Sequence, residues 1–101
     1  MFYLGVDFGT SGARAQVIDT DGQPTSEGQR EFGTLNEYET ADMWRDALWD
    51  LLASLPAALR AQLTAITIDG TSGTVLACDA DLKPTHPPLL YNDDRAVAEA
   101  Q

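Results

Sequence analysis

Two short stretches hold most of the side chains that can do chemistry. The first is Asp7-Phe8-Gly9-Thr10-Ser11-Gly12, followed closely by Arg14. The second, Asp69-Gly70-Thr71-Ser72-Gly73, repeats it nearly letter for letter. Paired glycines free the backbone to bend, so that successive N–H groups and hydroxyls aim at one point, which is how main chain cradles a phosphate. A carboxylate beside such a turn is out of place until a divalent cation lies between it and the phosphate. On that logic Asp7 with Gly9, Thr10, Ser11 and Gly12 reads as a Mg·nucleotide site. The same letters also suit any tight hairpin turn, and that reading stands beside the first. A Walker-type loop is excluded, because the only lysine is Lys83 and no Gly-Lys-Ser/Thr follows a strand.

The elements that must position these residues follow from pattern. Phe2–Phe8 is apolar or small at nearly every position and predicts a buried strand. Ala13–Asp19 predicts a second, so the first loop is a hairpin tip. Asp19-Thr20-Asp21-Gly22 is a turn, and the more polar Gln23–Phe32 predicts a third strand at a sheet edge. Gly33–Tyr38 is a loop. Thr40 can cap a helix running to about Leu55, with Asp42 in its first turn. Trp44, Leu48, Leu51, Leu52 and Leu55 recur at three and four, which predicts that the helix and both its tryptophans pack on the sheet. Glu37, Glu39, Asp42, Asp46 and Asp50 read as a solvated acidic face.

Pro56 ends that helix, and Ala57–Gln62 makes a further short turn. Leu63–Asp69 predicts the next strand, and Thr74–Asp79 another after the second glycine turn. Pro84, Pro87 and Pro88 mark an extended segment through Leu90, and Ala96–Gln101 begins a helix that stops at the chain end. Strand, strand, strand, helix, strand is the order of an α/β domain with a ribonuclease H-like (actin-like ATPase) core. Its sheet is mixed, with the first three strands antiparallel. A chain ending in the first turn of a helix reads as a truncated domain.

In such a sheet the two glycine turns close adjacent strands and face one cleft, the usual place for ligands. Two unrelated hairpin turns are the alternative. Gly70-Thr71-Ser72-Gly73-Thr74 is one residue from a Gly-x-Ser-x-Gly nucleophile elbow. A strand rather than a helix is predicted after it, and a lone loop histidine, His86, is poor support for an activated serine. Asp93, Asp94 and Arg95 precede the last helix, where one aspartate can cap it. A carboxylate and an arginine there can also hold polyol hydroxyls. Arg14 is either an exposed strand residue or a planar fork for a phosphate. Cys78 and His86 read as structural.

Composition bounds the partners. The 101 residues carry 16 acidic and 6 basic side chains, a net charge of −10, so no basic patch exists to neutralise nucleic acid or an anionic membrane. Apolar content of 44% and 22% charged residues suit a soluble globular domain. The single cysteine excludes an internal disulfide and fits a reducing compartment. With no signal-peptide pattern or transmembrane run, the expected location is cytoplasmic.

Taken together, LGVDFGTSGARAQVID, a helix carrying Trp44, AITIDGTSGTVLACD and PPLLYNDDRA resemble the amino-terminal part of an FGGY-family carbohydrate kinase along the whole chain. Ketopentose kinases, the xylulokinase- and ribulokinase-like members, are the nearest in kind. The resemblance implies transfer of the γ-phosphoryl group of MgATP to a sugar hydroxyl, in a cleft between two ribonuclease H-like domains. It implies that Asp7 lies near the Mg²⁺, the transferred phosphate and the sugar. Gly9, Thr10, Ser11, Gly12 and Arg14 would contact ATP. Thr71, Ser72 and Gly73, with Asp93 and Arg95, would contact the sugar. Gly-Thr-Ser-Gly stands where many xylulokinases carry a Gln-Met-His-Gly-type turn, and Tyr91 where tryptophan is common. The family's catalytic base, adenine pocket and second domain fall beyond residue 101, so these residues alone are expected to be inactive. An actin- or chaperone-like nucleotide switch is the alternative. So is a non-catalytic binding module, closed by pairing of an open sheet edge with a second copy as a homodimer.

Overall fold

A computed structural model describes residues 1–33 and 39–90. Phe2–Phe8 is β1, Gly12–Asp19 is β2 and Pro24–Glu31 is β3. Helix α1 spans Thr40–Ser54, the short α2 spans Ala57–Arg60, and β4 spans Leu63–Gly70. The four strands form one sheet in the order β3-β2-β1-β4, antiparallel across the first three, with β4 parallel to β1. The expected mixed sheet is present.

Alternation along the strands decides which face is the core. Leu4 and Val6 of β1, and Ala13, Ala15 and Val17 of β2, are buried on one face, while Gly5, Asp7, Arg14 and Gln16 between them are exposed on the other. Leu51 of α1 and Leu55, the residue just past its end, close the apolar face, and Leu48 and Leu52 pack beside them. It comes down on β3 at Gly28, where a Cβ would lie 3.2 Å from Ser54 Oγ and 3.3 Å from Leu51 Cδ2. The β2–β3 turn is fastened by Asp19, whose Oδ1 accepts the N–H groups of Asp21 and Gln23 at 2.9 Å each. Gly22 takes the left-handed conformation there, at φ 78°.

The helix ends partly follow expectation. Thr40 is the first helical residue, and Glu39 rather than Thr40 holds the cap position. At the other end Leu55 turns extended (φ −74°, ψ 143°), because the proline that follows disfavours the helical region for its predecessor. Asp42, Asp46 and Asp50 form the expected exposed acidic face, held by Arg45 to Asp42 and Asp46 and by Arg30 to Asp50. Glu37 lies outside the described residues.

Two expectations need correction, and β4 adds a finding of its own. Trp49 is 62% exposed rather than packed on the sheet. Five residues beyond Trp44 places it roughly 140° further round the helix, off the Ala47–Leu51–Leu55 spine. Ile66 and Ile68 of β4 are about half exposed, at 49% and 52%. They share a face with their register partners Leu4 and Val6, but α1 lies over β2 and β3 and stops short of them. Finally, Thr74–Asp79 is not a strand. Two isolated bridges, Val75 to Leu89 and Cys78 to Pro84, stand in its place. The segment opposite contains Pro84, Pro87 and Pro88, which have no N–H to continue a ladder. Among the described residues no helix is long and apolar enough to cross a membrane.

Candidate active site

The first loop is a tight hairpin tip whose conformation is set by the main chain. The Gly9 N–H donates to the Gly12 carbonyl at 2.8 Å, and the Phe32 N–H donates to the Ser11 carbonyl at 2.9 Å. Gly12 is required by close approach, since a Cβ there would sit 2.6 Å from the Arg30 carbonyl oxygen. Thr10 and Ser11 are exposed at the tip, and among the described residues their hydroxyls make no hydrogen bond within the chain. They are available to a ligand.

The second turn is docked against the first. The Thr71 N–H lies 3.2 Å from the Phe8 carbonyl oxygen, and its hydroxyl donates to the same oxygen at 3.5 Å. Ser72 and Gly73 are exposed, with Gly73 at φ 82° making the bend. Both turns therefore sit at the carboxyl-terminal ends of the parallel pair β1 and β4. His86 is exposed and hydrogen-bonds its neighbour Thr85 rather than Ser72, so no activated serine is assembled.

Strand register builds the rest of the site. Gln29 pairs with Arg14, Arg14 with Asp7, and Asp7 with Asp69, so one polar row crosses all four strands on the face away from α1. This row lines a cleft of about 650 Å³ with Gln16 and Glu27, whose side chains bond each other at 2.9 Å. A second cleft, of about 580 Å³, opens on the α1 side between Thr10, Trp44, Ile68 and Thr71. Asp69 borders both.

Two carboxylates side by side dominate the electrostatics. A hydrogen bond with Asp7, then partial desolvation and the charge of Asp7, raise the Asp69 carboxyl above the ordinary carboxylate range. No ion pair among the described residues includes Asp7, Asp69 or Arg14. Hard oxygen donors of this kind suit Mg²⁺, which binds through one or two carboxylates together with substrate phosphates and water. Among the described residues no group of three or more His, Cys, Asp and Glu side chains is placed to hold a metal alone. A cation here therefore needs phosphate or water oxygens to complete its shell.

The structure thus brings Asp7, Gly9, Thr10, Ser11, Gly12 and Arg14 into one hairpin and sets Thr71, Ser72 and Gly73 beside it. Asp93 and Arg95 lie outside the described residues. Gln29, Gln16 and Glu27 join the cleft without having been singled out by pattern, because each is ordinary for an edge strand or an exposed strand face. Asp69 did carry a signal: it holds the same place before its turn as Asp7 does before the first.

No family model matches the chain. Individual relatives do. The chain is 31% identical to the xylulose kinase of Streptomyces coelicolor, over 97% of its own length and 21% of that protein. It is 34% identical to the glycerol kinase of Rhodospirillum rubrum, over 96% of its own length and 21% of that protein. It superposes on the crystal structure of a kinase from Brucella ovis, described as a xyloylose kinase, with a TM-score of 0.77. The identity there is 28%, over 99% of this chain and 23% of that one. The chain thus spans about a fifth of the length of the curated relatives it matches. The ribonuclease H-like, actin-like ATPase fold expected from the order of elements is the fold of these structural neighbours. By sequence and fold together, the chain belongs to the FGGY family of carbohydrate kinases.

Proposed function

We propose that the whole protein is an ATP-dependent kinase that transfers the γ-phosphoryl group of MgATP to a hydroxyl of a sugar, with a ketopentose such as ribulose or xylulose as acceptor. The observation that carries this reading is the parallel register of β1 and β4. It sets two echoing Gly-Thr-Ser-Gly turns and Asp7 at one end of the sheet.

Phosphoryl transfer needs positioning and charge stabilisation far more than covalent help. Asp7 faces the cation and the transferred group. The Gly9–Gly12 tip, with the free Thr10 and Ser11 hydroxyls, holds phosphate oxygens, and Arg14 adds a planar cationic fork beside Asp7. Bound Mg²⁺ supplies the positive charge that lets this carboxylate and the phosphates share a cleft. Thr71, Ser72 and Gly73 face the sugar, with Asp93 and Arg95 as its further contacts. The base that takes the acceptor proton, the adenine pocket and the opposing domain belong to the carboxy-terminal remainder of the whole enzyme. Residues 1–101 by themselves hold one side of the cleft and do not turn over. MgATP as substrate places the enzyme in the cytoplasm.

The test is sugar-dependent ADP release by the full-length protein across ketopentoses, aldopentoses, polyols and glycerol, repeated with Asp7→Ala and Ser72→Ala. Turnover on a ketopentose, lost in both variants, supports the reading. Slow ATP hydrolysis that no sugar stimulates would sink it in favour of a nucleotide switch.

A further inference from the structure

The hairpin tip between β1 and β2 is supported from the end of β3, where neither the loop pattern nor the family resemblance points. The β2–β3 ladder does not stop at its last register pair, Gly12 with Glu31. It runs one rung further into the tip, where the Phe32 N–H donates to the Ser11 carbonyl at 2.9 Å. The two strands press closely together there. A Cβ on Gly12 would lie 2.6 Å from the Arg30 carbonyl oxygen and 3.3 Å from the Glu31 Cα. The bond from the Gly9 N–H to the Gly12 carbonyl closes the tip on itself, whereas the Phe32 bond ties it to another strand.

The tip has no apolar group of its own to bury. Gly9 and Gly12 carry no side chain, and Thr10 and Ser11 are exposed. Glycine-rich main chain has the most conformational freedom to lose, so its shape must be imposed from outside. Phe32 can impose it. Period-two alternation places it on the face of Gly28, the face that α1 covers. Its ring is partly buried and packs against the core cluster that holds Val6, Ala13 and Leu51. Phe32 also borders the openings on both sides of the tip. One is the cleft shared with Thr10, Trp44 and Thr71, and the other, of about 460 Å³, is shared with Asp7, Ser11 and Arg14.

We infer that Phe32 is a positioning residue for the nucleotide. Its ring, anchored in the core, holds the main-chain N–H that fixes Ser11, and so sets where the Thr10 and Ser11 hydroxyls and the N–H groups of the tip meet a phosphate. It touches no reacting atom. Its contribution is that the loop is ordered before the nucleotide arrives, so binding does not have to order it. This inference rests on the MgATP reading above and adds a residue to it.

The test uses the full-length protein as wild type, Phe32→Ala, Phe32→Leu and Leu52→Ala. The last truncates a side chain packed on the same core but bordering neither opening beside the tip. MgADP affinity is measured by calorimetry, ATP and sugar KM by coupled assay, and amide hydrogen exchange in the peptide covering residues 8–14 by mass spectrometry. Phe32→Ala should weaken MgADP and raise the ATP KM about tenfold, the size of one lost hydrogen bond to phosphate. The sugar KM should stay near the wild-type value, and exchange across residues 8–14 should speed up. Phe32→Leu keeps an apolar anchor and should recover most of the nucleotide affinity. Leu52→Ala should lower the melting temperature and leave that affinity unchanged. If Phe32→Ala does not fold, Phe32→Val removes less and carries the same expectations. Wild-type MgADP affinity in the truncated Phe32 variant, or an equal loss in Leu52→Ala, would overturn the proposal while leaving the kinase reading intact. Faster exchange at the tip in that variant, in a protein whose wild type binds no nucleotide, would keep Phe32 as the support of the tip and overturn the MgATP reading instead.

Discussion

The main-chain N–H of Thr71 lies 3.2 Å from the carbonyl oxygen of Phe8, fastening the turn after β4 to the last residue of β1. The Thr71 hydroxyl reaches the same oxygen at 3.5 Å, the outer limit of a hydrogen bond. The main-chain contact therefore does most of the docking. Thr71→Val should cost no more than about 1 kcal/mol in denaturant unfolding, because it removes one weak side-chain bond and keeps the N–H. If the hydroxyl also serves the sugar, the acceptor KM should rise by more than that stability loss explains. An unchanged KM would confine Thr71 to docking the turn.

Gly12 tests the hairpin tip. A Cβ added there would lie 2.6 Å from the Arg30 carbonyl oxygen, a backbone atom that cannot swing aside, whereas one added at Gly5 meets nothing within 4 Å. Gly12→Ala should destabilise by about 1–3 kcal/mol through overpacking, and it should distort the loop between Asp7 and Arg14. Gly5→Ala should stay within about 0.5 kcal/mol. Equal melting temperatures for the two variants would contradict this geometry.

Arg14 makes no ion pair within the described residues, so its removal should not unfold the domain. A charge-assisted hydrogen bond to phosphate contributes about 1.5–3 kcal/mol, so Arg14→Gln should raise the ATP KM roughly tenfold or more. The sugar KM should move little. Arg14→Lys should recover only part of the loss, because an ammonium lacks the planar fork. An ATP KM indifferent to both changes would return Arg14 to an ordinary exposed strand residue.

The Asp7–Asp69 contact also makes stability depend on pH. The folded state raises the Asp69 carboxyl above its ordinary range, so it favours the protonated form more than the unfolded chain does. The stabilising contribution is complete below the ordinary carboxylate range and is lost as pH rises through the raised folded value. In metal-free buffer, Asp69→Asn should therefore melt higher than the wild type at neutral pH, and the gain should vanish on acidification. A difference that stayed constant across pH would show that the two carboxyl groups do not interact in solution.

The limits of the sequence are visible in particular residues. Phe2–Phe8, Leu63–Gly70 and the spine of α1 were legible because an apolar run, a period-two alternation and a period-3.6 stripe are all local patterns. Pro56 and Asp19 were legible because a helix stop and an Asp-Gly turn are decided within a few residues. Trp49 misled, and the half-exposed Ile68 carries no local sign of its exposure, since which apolar side chains end up covered depends on where α1 crosses the sheet. Thr74–Asp79 had strand character, but its pairing failed against prolines about ten positions further on.

By itself the sequence determined the two turns, the strands that carry them and the residue types they display at Asp7, Thr10, Ser11 and Arg14. Only the tertiary structure decided that the turns belong together. Phe8 and Thr71 are 63 positions apart, and no local pattern states which strands pair, in which direction or in which register. A shift of β4 by one residue along β1 would turn Asp69 to the apolar face and leave Asp7 alone in its cleft. The carboxylate pair is a property of the parallel register, which sets Ile66 and Ile68 on the face of Leu4 and Val6 and so leaves Asp69 beside Asp7 on the other.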